Sequence, residues 1–288
     1  MISPFDGDVN FVKRLHVSVV IDQYNQKCDV DISEFFHNFE YLELYECKIT
    51  GYKYWLPAEA AGNEQFYHLI SKAWKNYYRE ERWEYQYAST YIKKDDAHLE
   101  IGCGKGFFLK QVEKKCKLAV GLEFNTQAIT NKVCKAAIFN ETIESHAKNG
   151  NKYDVVTSFQ VLEHISKPKE FLISALRCVK PGGYLVLSTP NDDWGPHQRF
   201  EDAFNLPPHH VGCFNENIYR NIAKYLDCKV VDFKIQPCGY DIGLYSMQTE
   251  KRLDFRFFKK VTQKIGNLIL RRANEPGHTI LCIMQKLI

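Results

Sequence analysis

From Ala97 onward, seven short apolar runs alternate with helical segments, and no other feature of the chain narrows its fold as much. The runs lie at 97–101, 117–122, 136–139, 153–158, 183–189, 229–235 and 279–285. Segments with apolar residues at helical spacing fall between them at 106–115, 126–134, 168–178 and 215–226. Alternation of this kind builds a largely parallel sheet, because each parallel connection needs a helix to carry the chain back to the same edge. The expected class is therefore α/β, a seven-stranded sheet with helices on both faces. Pro181-Gly182-Gly183 is the turn expected to lead into the fifth strand.

Before Ala97 the pattern differs. Strand-like runs at 15–21, 41–45 and 52–55, closed by Pro57, predict a β-rich accessory segment over 1–60. Asn63 is placed to cap a helix, with Phe66, Leu69, Ile70, Ala73, Trp74 and Tyr77 at helical spacing, and a second helical run spans about 80–92. These make a helical lead-in over 61–95, followed by the main domain over 96–288. Within that domain 190–214 is longer than an ordinary connection and reads as a functional loop. Residues 251–272 form a basic amphipathic helical insertion.

The chain has 288 residues, 45% hydrophobic and 25% charged, as expected of a globular protein. A net charge of +3 is too small to mark a nucleic-acid binder, so no such partner is expected. The ten cysteines contain no CxxC pair and several sit in apolar runs. They read as reduced thiols, and with no leader pattern at the start the expected location is cytoplasmic. No apolar run approaches the roughly eighteen residues of a spanning helix. Contact with a membrane is expected at most through the basic face of 251–272.

His98-Leu99-Glu100-Ile101-Gly102-Cys103-Gly104-Lys105-Gly106 places an acid at a strand end, then three alternating glycines, then a helix. Glycine permits the tight turn and lets a ligand approach the main chain. The G-x-G-x-G spacing departs from the G-x-G-x-x-G of dinucleotide enzymes, and Glu100 suits a ligand bearing an ammonium group. Glu123 ends the second strand, where an acid accepts hydrogen bonds from ribose hydroxyls.

With these motifs the core from about 97 to 190 resembles the class I S-adenosylmethionine-dependent methyltransferases, whose sheet is Rossmann-like. The glycine loop, Glu123, the Glu141-Thr142-Ile143 turn, the run Tyr153 to Ile165 and Pro181-Gly182-Gly183 occur in the family's order. The resemblance implies S-adenosylmethionine as cofactor. It implies Glu100, Gly102, Cys103, Gly104 and Gly106 around the methionine moiety and Glu123 with Phe124 at the ribose. Glu141, Thr142 and Ile143 fall by the adenine, and Phe159 and Gln160 beside the sulfonium. Cys103 reads as a small filler between glycines rather than a nucleophile, and Glu163 as either a helix-surface acid or a functional one.

The acceptor is sought in Phe204-Asn205-Leu206-Pro207-Pro208-His209-His210-Val211. A hydroxyl acceptor must lose its proton, and a near-neutral histidine takes it when within reach. His210 or His209 is the candidate base, the alternative being that the two only fix the loop by hydrogen bonds, and His164 either lines the transfer pocket or packs in the core. The Leu-Pro-Pro-His-His stretch and Cys47-Lys48-Ile49-Thr50-Gly51 resemble a bacterial subgroup of small-molecule and cell-surface glycan methyltransferases. Relatives with a zinc ribbon there carry paired thiols; Thr50 replaces the second one, so zinc is not expected. Asp192 and Asp193 supply only part of a magnesium set, and no metal is expected. Tyr77, Tyr78 and Trp83 are candidates either for pocket lining or for core packing. The expected reaction is methylation of a hydroxyl on a sugar or other small metabolite. Methylation of nitrogen and a cofactor-binding regulatory role without transfer are the alternatives, and oligomeric state is not legible.

Overall fold

The computed structural model describes residues 2–73, 77–195, 202–237 and 277–287. The basic segment 251–272 lies outside them, as do 196–201 of the long loop.

The main sheet uses all seven expected strands: β4 Ala97–Ile101, β5 Leu118–Leu122, β6 Ala137–Phe139, β7 Tyr153–Phe159, β8 Val179–Pro190, β10 Cys228–Ile235 and β11 Thr279–Lys286. Their spatial order is β10-β11-β8-β7-β4-β5-β6. The five strands from β8 to β6 run parallel, and β11 is antiparallel to both its neighbours. The chain reverses direction across the sheet between β4 and β7, so both strands open their C-terminal ends into one crevice, where ligands bind in such sheets. β11 reads apolar without alternation, and Ile280 to Met284 are fully buried. A strand covered on both faces has no polar side to show.

The expected turn at Pro181-Gly182-Gly183 is an interruption within β8. Val179 pairs with Tyr153 and Tyr184 with Val155, so the residues between loop out, and Gly182 takes φ +77°. The crossover helices are short: α4 Phe107–Val112, α5 Thr126–Thr130 and α6 Ile143–His146, then α7 Pro168–Cys178 and α8 Glu216–Tyr225. Asn125 caps α5 and Asn215 caps α8 through side-chain oxygens that accept main-chain N–H groups.

The N-terminal region forms a second, antiparallel sheet of β1 Val9–His16, β2 Tyr41–Cys47, β3 Lys53–Leu56 and the two-residue β9 Gly212–Cys213. One expectation is corrected here. The strand expected over 15–21 does not extend past His16: β1 stops there and helix α1 runs Val17–Cys28, capped by the His16 ring, which accepts the Ser18 N–H. The β-branched run Val17 to Ile21 has strand propensity, yet Val17, Val20 and Tyr24 are buried at helical spacing, and packing outweighs propensity. Helix α2 Glu64–Ala73 and the short α3 Trp83–Ala88 join the two sheets. The core beneath α1 includes Tyr24, Phe66 and Ile70 together with Ala203 and Leu206 of the long loop.

Candidate functional site

At the C-terminal ends of β4 and β7 lies a cavity of about 1350 Å³. Its floor is the glycine loop. Gly102, Gly104 and Gly106 have φ of +71°, +55° and +77°. A Cβ on Gly102 would meet Val161 at 2.4 Å, and one on Gly104 would meet the Tyr78 ring at 2.8 Å. Both the left-handed backbone and the close approach therefore require glycine.

Glu100 is 2% exposed at the end of β4, and its Oε2 has no hydrogen-bond partner. Burial pushes its carboxyl far above the usual range, nearby Glu123 adds to this, and Arg82 opposes it. Glu123 accepts the main-chain N–H of Gly104 at 2.7 Å and that of Asn125 at 2.8 Å. Burial raises its pKa, and these N–H groups hold it back. Glu123 thus fixes the glycine loop against the end of β5.

Cys103 lines the cavity yet is buried against Leu109 and Cys134, and burial pushes its thiol up, which suits a filler. Phe124 is 60% exposed beside the same cavity. Glu141 bonds the His146 ring at 2.7 Å, Thr142 caps α6 by accepting the Ser145 N–H, and Ile143 is buried; all three line the cavity. Phe159 packs edge-on against Tyr85 and Phe108. Gln160 has φ +55°, and its main-chain N–H donates to the Ser188 carbonyl at 2.9 Å. Left-handed backbone at a non-glycine residue is strain held by its surroundings, common in sites.

The far end of the cavity is histidine-rich. His164 ends a single 3-10 turn, Leu162–His164, and meets His209 and His210 from the long loop. The ring centroids are 4.8 Å apart for His164 and His209, 4.9 Å for His164 and His210, and 4.3 Å for the stacked His209 and His210. Main-chain bonds pin the loop: the His209 and His210 N–H groups donate to Leu206, that of Val211 to Glu163, that of Trp55 to Val211, and that of Gly62 to Pro208. Burial lowers the His164 pKa to about 3, with His209 adding to the effect. Burial lowers His209 to about 4.

Glu163 is corrected from a surface acid to a buried one. It is 1% exposed, neither oxygen has a hydrogen-bond partner, and burial pushes it up to about 8. Its neighbours in sequence held no warning, because the three-residue turn Leu162–His164 is too short to show a periodicity. Arg82, Tyr67 and Asn205 also line the cavity and were not foreseen. Tyr67 donates its hydroxyl proton to the His209 carbonyl, and its oxygen lies 3.1 Å from His164 Nδ1. Tyr77 and Tyr78 line the cavity, whereas Trp83 packs in a core cluster with Phe108 and Ile283. Asp192 and Asp193 are engaged elsewhere, by Lys53 at 2.9 Å and by the Asn215 amide at 3.0 Å.

A family model described as a methyltransferase domain matches residues 73–232. A ubiquinone biosynthesis O-methyltransferase of Serratia proteamaculans is 31% identical over 105 residues, covering 34% of this chain and 44% of that protein. One of Vibrio vulnificus is 33% identical over 101 residues, covering 32% and 43%. The chain thus spans less than half the length of these curated relatives. A crystal structure of a SAM-dependent methyltransferase from Archaeoglobus fulgidus superposes with a TM-score of 0.56 at 19% identity, covering 77% of this chain and 100% of that one.

Proposed function

The chain belongs to the methyltransferase-domain family with S-adenosylmethionine as its cofactor, and from that premise we propose that it methylates a hydroxyl of a small metabolite. The observation that carries this reading is the continuity of the cavity from the glycine loop to the three histidines. One end suits the donor and the other an acceptor that must shed a proton.

Bound S-adenosylmethionine supplies an electrophilic methyl group on a positively charged sulfur. The residues present fit it. The unpartnered Oε2 of Glu100 is available to an ammonium group, and the main chain of Gly102, Gly104 and Gly106 gives the close approach that a methionine moiety needs. Glu123 retains lone pairs for ribose hydroxyls beside the two N–H groups it already accepts, with Cys103 and Phe124 flanking it. Glu141, Thr142 and Ile143 border the adenine end, and Phe159 and Gln160 the sulfonium end. At the acceptor end His210 or His209 takes the hydroxyl proton, and His164 orients the pair. Holding donor and acceptor in line is the main catalytic contribution.

The relatives' name, ubiquinone biosynthesis O-methyltransferase, supports an oxygen acceptor. The sugar and glycan assignment rests on the Leu-Pro-Pro-His-His loop. Calorimetry with the demethylated cofactor tests the donor half: Glu123→Ala is expected to weaken binding at least about tenfold, and unchanged binding sinks the assignment. Incubation with nucleotide sugars, polyhydroxyphenols and amines, read by mass and by the carbon shift of the new methyl, tests the acceptor half. Methyl on nitrogen alone would replace the hydroxyl reading. Full turnover by His210→Ala would remove that residue from the reaction.

A further inference from the structure

At the acceptor end, three imidazoles and one carboxylate face one another with their lone pairs. The His164 Nδ1 lies on the His209 carbonyl oxygen, the His209 Nδ1 is 2.9 Å from the Phe204 carbonyl oxygen, and the His210 Nδ1 is 2.9 Å from Asn205 Oδ1. Carbonyl oxygens only accept, so each Nδ1 carries its ring's proton and each Nε2 holds a lone pair. His209 Nε2 is buried with no hydrogen-bond partner, as are both oxygens of Glu163. The Nε2 atoms of His164 and His210 each stand 4.0 Å from Glu163 Oε1. One ring nitrogen from each histidine lies within 4.8 Å of the others.

Such a gathering of acceptors is costly unless a cation joins it. One shared proton would satisfy one pair, and of His209 Nε2 and the two Glu163 oxygens at least one would still lack a partner. Among the described residues Arg82 lies near enough to favour the charged form of Glu163, and its Nη1 is 3.8 Å from Glu84 Oε1, yet it hydrogen-bonds neither Glu163 oxygen nor His209 Nε2. A divalent metal ion satisfies the whole set. The Nδ1–H bonds to carbonyl oxygens are the arrangement that orients metal-binding histidines and fixes their tautomer. Imidazole ligands favour zinc and its first-row neighbours over magnesium or calcium.

We infer that His164, His209 and His210 bind a divalent transition-metal ion of the zinc type, with the Glu163 carboxylate as its counter-charge. Three protein ligands leave one tetrahedral position open toward the cavity. On the reading that the acceptor is a hydroxyl, its oxygen takes that position and loses its proton more readily there. With their lone pairs on the metal the histidines no longer serve as the base, and Glu163 receives the proton in their place. Sequence alone pointed away from a metal because it offered neither paired thiols nor clustered aspartates. The ligands come from two segments 45 residues apart, which only the packing of the long loop against the 3-10 turn brings together.

The metal-free full chain titrated with Co²⁺ provides the test. The expected result is a visible d–d absorption band that saturates at one equivalent and is displaced by Zn²⁺. His209→Ala and, separately, His164→Asn should each weaken binding at least about a hundredfold. Circular dichroism identifies a variant that fails to fold, and the other variant then decides. A wild-type chain that takes up no Co²⁺, or equal uptake by the folded variants, overturns the inference. Calorimetry with the demethylated cofactor on the same preparations separates the two readings: cofactor bound without metal leaves methyl transfer standing and removes only the metal.

Discussion

His98 is sealed from solvent. It is fully buried on β4, its Nε2 meets Thr157 Oγ1 at 3.0 Å, and its Nδ1 has no hydrogen-bond partner. Burial lowers its pKa to about 3 from an ordinary 6.5. The unfolded chain therefore binds a proton that the folded one refuses, so this residue's contribution is complete above pH 6.5 and is lost as pH falls toward 3. The expected slope is about 1.4 kcal/mol per pH unit within that window. Urea melts at stepped pH should show a shallower slope for His98→Gln, and an identical slope would remove His98 as the source. Glu163 makes the complementary point about legibility. Its identity was plain in the sequence, while its burial was not, because the turn Leu162–His164 has too few residues to display a periodicity. At Glu100 and Glu123 the strand ends were legible, and the cofactor contacts proposed for them rest on those positions.

Among the elements, the glycine loop is the one whose sequence specifies its conformation most completely. Gly106 starts α4 at φ +77°, and a Cβ there would sit 2.5 Å from Cys134 Sγ. Gly106→Ala combines a left-handed alanine with that clash and should cost about 1–3 kcal/mol. It should lower the urea midpoint at constant m-value. Adding Cys134→Ala should restore part of the loss, the clash, and leave the backbone strain; full recovery would mean that strain counts for nothing here. The contrasting element is α1. Its β-branched start reads as strand, and it is helical because Val17, Val20 and Tyr24 reach one buried face. Tertiary burial made that choice. Thr142 lies between these cases, since its capping of α6 was not foreseen while its place by the cavity was. Thr142→Ala should destabilise the protein by about 1 kcal/mol, read from the same urea melts, and no loss would show that the cap contributes nothing.

At the scale of the whole molecule, the N-terminal region and the main sheet share structure. β9 pairs with β3, the Trp55 N–H donates to the Val211 carbonyl, Lys53 pairs with Asp192, and Phe66 packs with Ala203 and Leu206 in one core. The division into 1–60, 61–95 and 96–288 remains our proposal, and the deletion of 1–60 tests it. We expect the shortened chain to melt well below the full one and to bind a hydrophobic dye, because Phe66, Ile70 and Leu206 lose their cover. An unchanged melting temperature would make the segment dispensable. Among the described residues no helix is long and apolar enough to cross a membrane. The sequence by itself determined the seven-stranded sheet, the glycine loop and the acids that follow it, because strand period, glycine freedom and strand-end acids are local properties. The tertiary structure alone decided what stands opposite that loop. His164 comes from one segment and His209 and His210 from another, and Glu163 is buried among them; long-range packing, which leaves no periodic trace in a sequence, set the composition of the cavity's histidine-rich end.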